Sequence, residues 1–375
     1  MAGMRRVHVL NFIRTMAVTT VAFLAPLRFL ELGFDGAGIG VIVALFASAP
    51  MVFSFPTGWL NDRVSMKAVM GAALLAMSAL FAALGFIRGV APMAAAFLLL
   101  GVANNAFNVS INSLYFKDRA ETDPNRKYGR YVGWLSLGPP AGLLMGSFVA
   151  RVAGFRTLLA VMAVLCLGAA AAVRGLGEER FAAVSLRDYR FSVFNRRTLL
   201  FSAFLVLLAL HWGTELTVYG PFLKTRLGLS DSGVSLYMAG AYLALAGAAF
   251  LVGRLKFDPV RNRRLFLAGM TLSGLGLILM TVGDVRLSFL FRFLHEGGDG
   301  LMGAFVILTM SRLFGTATIG GSAGLLMALQ TTGHMAGSLL FSWLGFRAGL
   351  QVPMIVAGAV LLANAAFGLY ALPKE

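Results

Sequence analysis

Apolar stretches of about twenty residues, long enough to cross the hydrocarbon core of a bilayer as a helix, follow one another along the chain with short polar breaks between them. Twelve can be read, near 9–30, 38–59, 67–87, 91–114, 130–150, 156–174, 198–222, 232–253, 265–283, 287–310, 319–343 and 351–371. Most breaks have the length expected between antiparallel neighbours. One stands apart: 175–197, GLGEERFAAVSLRDYRFSVFNRR, is polar, charged and placed at the midpoint. It reads as a linker that could carry a short amphipathic helix on the membrane face. The expected organisation is therefore a six-helix bundle over 1–174, the linker 175–197, and a second six-helix bundle over 198–375.

Composition removes the soluble alternative. Apolar residues make up 58% of the 375 residues and charged residues 13%, with a mean hydropathy of +0.81. A soluble protein carries about 25% charged residues. The net charge is +16, but so apolar a chain has little polar face for a phosphate-binding stripe, which excludes nucleic acid as a partner. Loops loaded with Arg explain the surplus better. With the N-terminus placed in the cytoplasm, 22 of the 32 Lys and Arg fall on that side and 8 on the other, with Arg14 and Arg292 inside spans. This asymmetry puts both termini in the cytoplasm of a multi-pass protein of the plasma (inner) membrane. Arg5 and Arg6 before an apolar run look like the start of a secretion signal, but the run carries Asn11 and Arg14 and continues to Leu30, so a retained first span is expected. The single cysteine, Cys166, excludes an internal disulfide framework and a multi-thiolate metal site.

A shift of 195 residues brings Pro26 onto Pro221, Leu32 onto Leu227, Gly33 onto Gly228, Gly38 onto Gly233 and Gly58 onto Gly253. Each pair sits at the same place in a span–loop–span unit. Six spans, a linker and six spans again describe a parallel repeat, an architecture that favours alternating access to a midplane site between halves.

The break after the second span reads Gly58-Trp-Leu-Asn-Asp62-Arg63-Val-Ser65-Met66-Lys67. Gly58, Asp62, Arg63 and Lys67 resemble the loop signature of the major facilitator superfamily, G-x-x-x-D-R-x-G-R-K/R, from which Ser65 and Met66 depart. Gly58 permits close approach of a neighbouring helix, and Asp62 can bind another helix's N-terminal N–H groups, so the loop would latch the cytoplasmic side. The copy after the eighth span, Gly253 to Asp258, is degenerate. Span 5 carries Gly129, Gly133, Gly138, Pro139, Pro140 and Gly142, which is similar to the glycine–proline motif of exporters in that superfamily. The usual Arg of span 4 is missing. The resemblance implies twelve helices in two pseudo-symmetric bundles, a cavity lined by spans 1, 4, 7 and 10, a small-molecule substrate and a monomer.

Ionisable side chains within a span are costly and face cavities or one another. Span 10 holds Arg292, His295, Glu296 and Asp299, within an arc of about 100° on one helix face. Arg292 and Glu296 are spaced i,i+4, as are His295 and Asp299, His211 and Glu215 in span 7, and Gln330 and His334 in span 11. Gly297, Gly298 and Gly300 leave room for a substrate or a partner helix. Span 4 offers Asn104, Asn108 and Asn112 down one stripe, and span 1 offers Asn11 and Arg14. Plain readings stand beside these: the Asn stripe can glue helices, Arg292–Glu296 can be a closed ion pair, and Arg14 can snorkel to headgroups. Three carboxylates with one Arg nearby cannot all stay ionised at low cost, a condition that suits proton exchange.

These residues point to a secondary transporter, with Glu296 or Asp299 as the proton-coupling carboxylate and substrate against Asn104, Asn108 and Gln330. The span 5 motif leans the reading toward efflux of a small organic or amphipathic molecule. Uptake or exchange of an organic anion against Arg14 and Arg292, or lipid flipping, are the alternatives. An enzyme or haem carrier is not expected. The four His have no paired axial spacing, His295-Glu296 lacks the second His of a zinc motif, and no Walker loop occurs. No cofactor or metal is expected.

Overall fold

The computed structural model describes residues 2–117, 122–176, 195–314 and 318–372, and all regular structure among them is helical. Twelve helices occupy the twelve apolar stretches: α1 (Ala2–Glu31), α2 (Gly36–Asn61), α3 (Met66–Leu84), α4 (Val90–Lys117), α5 (Pro124–Ala153), α6 (Phe155–Val173), α7 (Arg196–Thr225), α8 (Asp231–Arg254), α9 (Pro259–Leu279), α10 (Val285–Leu313), α11 (Ile319–Ala348) and α12 (Gln351–Ala371). The protein is an all-α membrane protein. The linker expected at 175–197 lies outside the described residues except at its two ends.

Among the described residues, nine helices, α1–α8 and α12, are long and apolar enough to cross a bilayer on composition alone. The other three carry polar residues that lower their hydropathy. Arg261, Arg263 and Arg264 open α9, Arg292, Glu296 and Asp299 sit within α10, and Gln330 and His334 lie in α11.

The helices fall into two compact units. The first comprises Met1–Asp118, Leu137–Tyr189 and Thr316–Ala328, and the second Arg119–Ser136, Arg190–Gly315 and Leu329–Glu375. Thus α1–α4 and α6 belong to the first unit, α7–α10 and α12 to the second, and α5 and α11 contribute a part to each.

The sequence repeat has a local geometric counterpart. Gly33 and Gly228, 195 positions apart, both adopt positive φ, 80° and 67°, the left-handed turn that glycine accepts without a Cβ penalty. Two residues later Asp35 caps α2 by accepting the Gly38 N–H at 2.8 Å. Ser230 caps α8 by accepting the Gly233 N–H at 3.2 Å. The same turn and cap therefore restart the chain after α1 and after α7. Likewise α5 and α11 begin (124 and 319) and end (153 and 348) at the same offset.

Glycine sets how closely the helices approach in each unit. In the first, a Cβ at Gly138 or Gly142 of α5 would strike Thr15, Thr20 and carbonyls of α1. In the second, Gly129 meets Gly253 of α8 and Gly133 meets the Phe250 ring. Gly269 and Gly276 of α9 leave no Cβ between themselves and the α10 backbone at Gly298 and His295. Close helix approach through small residues is the usual packing mode in lipid, where helices gain little from apolar burial against one another.

Candidate functional site

Helix α7 is not uniform. It is α-helical over Arg196–Leu210, π-helical over Glu215–Tyr219 and α-helical again over Gly220–Thr225. Pro221 has no N–H to give to the carbonyl four residues back, and the turn before it takes the wider geometry. Such turns often mark functional positions. Here it carries Glu215 and Tyr219.

In the second unit Glu215 joins the polar face of α10. Arg292 Nη2 donates to Glu215 Oε2 at 3.0 Å and to Glu296 Oε1 at 2.5 Å. The guanidinium lies 4.7 Å from the centre of the Tyr219 ring. Glu215 Oε1 faces His295 Nε2 at 2.8 Å, while His295 Nδ1 lies 2.8 Å from the Ser273 carbonyl on α9. The close α9–α10 approach at Gly269 and Gly276 brings Ser273 there. Its hydroxyl donates to Asp299 Oδ1 at 2.6 Å. Asp299 Oδ2 lies 3.4 Å from His211 Nε2, and His211 Nδ1 contacts the Leu208 carbonyl. The Arg292 and His295 side chains are fully buried, whereas Glu215 is 18% and Asp299 10% exposed. Solvent therefore reaches the network mainly at Glu215 and Asp299.

The hydrogen bonds assign the tautomers. A carbonyl can only accept, so Nδ1 of each histidine must carry a proton: His295 donates to Ser273 and His211 to Leu208. Each Nε2 then points at a carboxylate oxygen. Two facing lone pairs would repel, so a proton shared between a histidine and its carboxylate is the arrangement that would join them.

His211, His295 and Asp299 bring possible metal-ligand atoms within 4.8 Å of one another. Each of those atoms is engaged inside the network just described, and we assign no metal to it.

The first unit holds a different cluster. Arg14 Nη1 donates to Asn104 Oδ1 at 3.0 Å, and Nη2 donates to Asn11 Oδ1 at 3.0 Å and Asn108 Oδ1 at 3.4 Å. These three amide oxygens orient the guanidinium without cancelling its charge. Arg14 is buried, so it does not snorkel to the membrane surface; the α4 amides hold it in the interior.

The loop after α2 is built around Asp62. Its Oδ1 receives the Lys117 ammonium at 2.6 Å, with both side chains fully buried. Its Oδ2 accepts the Gly321 N–H at 2.8 Å, in the first turn of α11. A Cβ at Gly58 would collide with the Gly320 carbonyl. Arg63 lies over the Trp59 ring at 4.1 Å, and Lys67 donates to the Leu176 carbonyl at 2.7 Å.

The Major Facilitator Superfamily model matches residues 7–260. The chain belongs to the Major Facilitator Superfamily. No curated protein matches it at a significant level. Among solved structures, the human organic anion transporter MFSD10 (TETRAN) is similar over 97% of this chain and 99% of its own, with a TM-score of 0.80 and 16% identity. That likeness shows a shared fold. As a facilitator-superfamily protein the chain is a multi-pass membrane transporter of small molecules and not an enzyme.

The facilitator motif residues Gly58, Asp62, Arg63 and Lys67 thus gather at one end of α2 and α3. Of the expected pathway residues, Arg14, Asn104 and Asn108 come together in one cluster. His211, Glu215, Arg292, His295, Glu296 and Asp299 come together in the other. Gln330 is half-buried and has no hydrogen bond to either cluster among the described residues. The ring of His334 lies 6.4 Å from that of Trp212, and its Nε2 has no hydrogen-bond partner among the described residues. Of the three glycines in α10, Gly298 and Gly300 are filled by α9 and α8, and Gly297 faces open space. Sequence reasoning missed Lys117, Ser273 and Tyr219. A lone cation at the end of span 4, a serine beside glycine in span 9 and a tyrosine one turn after Glu215 were the available signals.

Proposed function

We propose that the protein is a proton-coupled secondary transporter that exports a small organic or amphipathic molecule by alternating access. Its two halves, 1–174 and 198–375, would rock about the linker 175–197, in the plasma (inner) membrane, with both termini in the cytoplasm and one chain as the working unit. The observation that carries this reading is the proton demand of the α7–α9–α10 network. Arg292 brings one positive charge against the carboxylates of Glu215, Glu296 and Asp299. A proton on each of His211 and His295 completes the balance and fills the two histidine–carboxylate contacts. Releasing those protons leaves a buried network with excess negative charge, a state that relaxes by rearranging or by taking protons from the other side. The span 5 glycines and prolines support export.

The test uses proteoliposomes carrying a pH-sensitive dye inside. An amphipathic fluorescent solute that the protein moves should move protons in the opposite direction, and Glu296→Gln and Asp299→Asn should uncouple the two. Solute movement without proton movement in the unaltered protein overturns the reading.

A second reading, uptake or exchange of an organic anion, rests on Arg14. Its buried guanidinium is held by the neutral amides of Asn11, Asn104 and Asn108, and a guanidinium is the side chain best suited to recognising a carboxylate. The structurally similar human protein is described as an organic anion transporter, which favours the same substrate class.

A further inference from the structure

Apart from both clusters, α3 and α6 of the first unit enclose a groove of about 540 Å³. Its chemistry is graded from end to end. At one end stand Ser65, Lys67 and Arg174. Farther along, the walls are apolar, with Leu75 and Leu167 both 52% exposed. Gly71 lies between, and a Cβ there would meet nothing within 4 Å. From Ser65 to Leu75 the groove follows α3 for about 15 Å, which is the depth of one leaflet of hydrocarbon, half of roughly 30 Å.

The cationic end gathers groups that favour an anion. Ser65 is the residue before α3, and its hydroxyl makes no capping hydrogen bond, so the helix's first N–H groups face outward with the positive end of the helix dipole behind them. Lys67 uses one of its three donors on the Leu176 carbonyl at 2.7 Å, which fixes the ammonium at the groove mouth and leaves two donors. Arg174 is exposed beside it. Arg6 reaches the adjacent Gly175 carbonyl, adding a third cation to the same corner. No acidic residue lines the groove among the described residues.

We infer that this groove holds one anionic phospholipid, its phosphate between Ser65, Lys67 and Arg174 and an acyl chain against the small-residue floor of α3 and α6. A free phosphate would use the head of the site but not its apolar length. A neutral or zwitterionic lipid would use the length but gain little from the two basic side chains. The inference is independent of the substrate and of the proton reading.

The full-length protein in detergent is titrated with phosphatidylglycerol and with phosphatidylcholine, and bound lipid is counted by native mass spectrometry. Phosphatidylglycerol should bind about tenfold or more tightly than phosphatidylcholine, and Lys67→Gln with Arg174→Gln should weaken it about thirtyfold. Gly71→Leu tests the apolar length without touching a charge. It should block retention of both lipids while leaving the melting temperature no lower, because the added side chain enters open space in a helix. Equal affinity for the two lipids overturns the inference. Undiminished binding in Gly71→Leu does so too, as does full displacement of phosphatidylglycerol by an equal concentration of inorganic phosphate.

Discussion

Asp62, the residue that closes α2, caps a helix far from it in sequence: its carboxylate accepts the Gly321 N–H of α11 at 2.8 Å. Asp62 stands where an N-cap side chain would. The other oxygen is held by buried Lys117, so one carboxylate ties together the ends of α2, α4 and α11. Both contacts lie within the first unit.

Asp62→Asn should be strongly destabilising. It keeps the shape and a cap acceptor but removes the charge that faces Lys117, and losing one partner of a buried ion pair costs about 3–5 kcal/mol. Asp62→Asn combined with Lys117→Met removes both charges and should recover most of the loss. Thermal melts of the two variants in detergent check this. A double variant that melts as low as the single one shows that the ion pair is not what matters at this position.

Two glycines, Gly58 and Gly71, should respond oppositely to alanine. At Gly58 a methyl group meets the Gly320 carbonyl and α2 and α11 must separate, an overpacking effect worth about 1–3 kcal/mol of lost stability. At Gly71 the methyl enters open space, and alanine in a helix interior gains about 0.5–1 kcal/mol. Melting temperatures falling for Gly58→Ala and rising for Gly71→Ala check the pair. A neutral Gly58→Ala refutes the close approach.

Arg14 separates the two substrate readings. Arg14→Gln removes the charge and leaves a shorter polar side chain beside Asn11, Asn104 and Asn108. If an organic anion is the cargo, Arg14→Gln should abolish its binding, measured as loss of the ligand-induced rise in melting temperature, while the ligand-free melt changes little. Arg14→Lys should restore only part, since an ammonium cannot reproduce the fork geometry. Full anion binding in Arg14→Gln removes the second reading.

Much of this architecture was legible in the chain because lipid imposes a simple rule: each crossing must be a helix of sufficient apolar length. The repeat was legible because its punctuation, Gly33 and Gly228 above all, answers a backbone need that only glycine meets freely. The association of Arg14 with Asn104 and Asn108 was not legible: the chain showed polar residues in spans 1 and 4, and only the packing of α1 against α4 joins them. Helical spacing was a weaker guide to partners. It paired His295 with Asp299 and His211 with Glu215, yet Ser273 of α9 mediates between the first two, and the second two find partners on α10. Spacing reports which residues share a helix face, whereas the partner depends on which helix glycine admits closest. Lys117 was hidden for a related reason. As one basic residue among several in a cytoplasmic stretch it read as a loop charge, and only the fold of α4 against α2 buries it.

The histidines offer the sharpest test of the proton reading. Glutamine can place an amide N–H near the position of the histidine Nε2 proton, so His295→Gln can still donate to Glu215 and His211→Gln to Asp299. Neither amide can release that proton. The network should therefore survive in His295→Gln, with a melt close to that of the unaltered protein, while coupling fails. In the proteoliposome assay each single variant should move fewer protons per solute, and the double variant none, although solute exchange down its own gradient persists. This combination distinguishes a proton carrier from a purely structural histidine, whose loss would lower the melt and reduce coupled and uncoupled movement together. If the double variant still moved protons at the original ratio, the carriers would have to lie outside the α7–α9–α10 network.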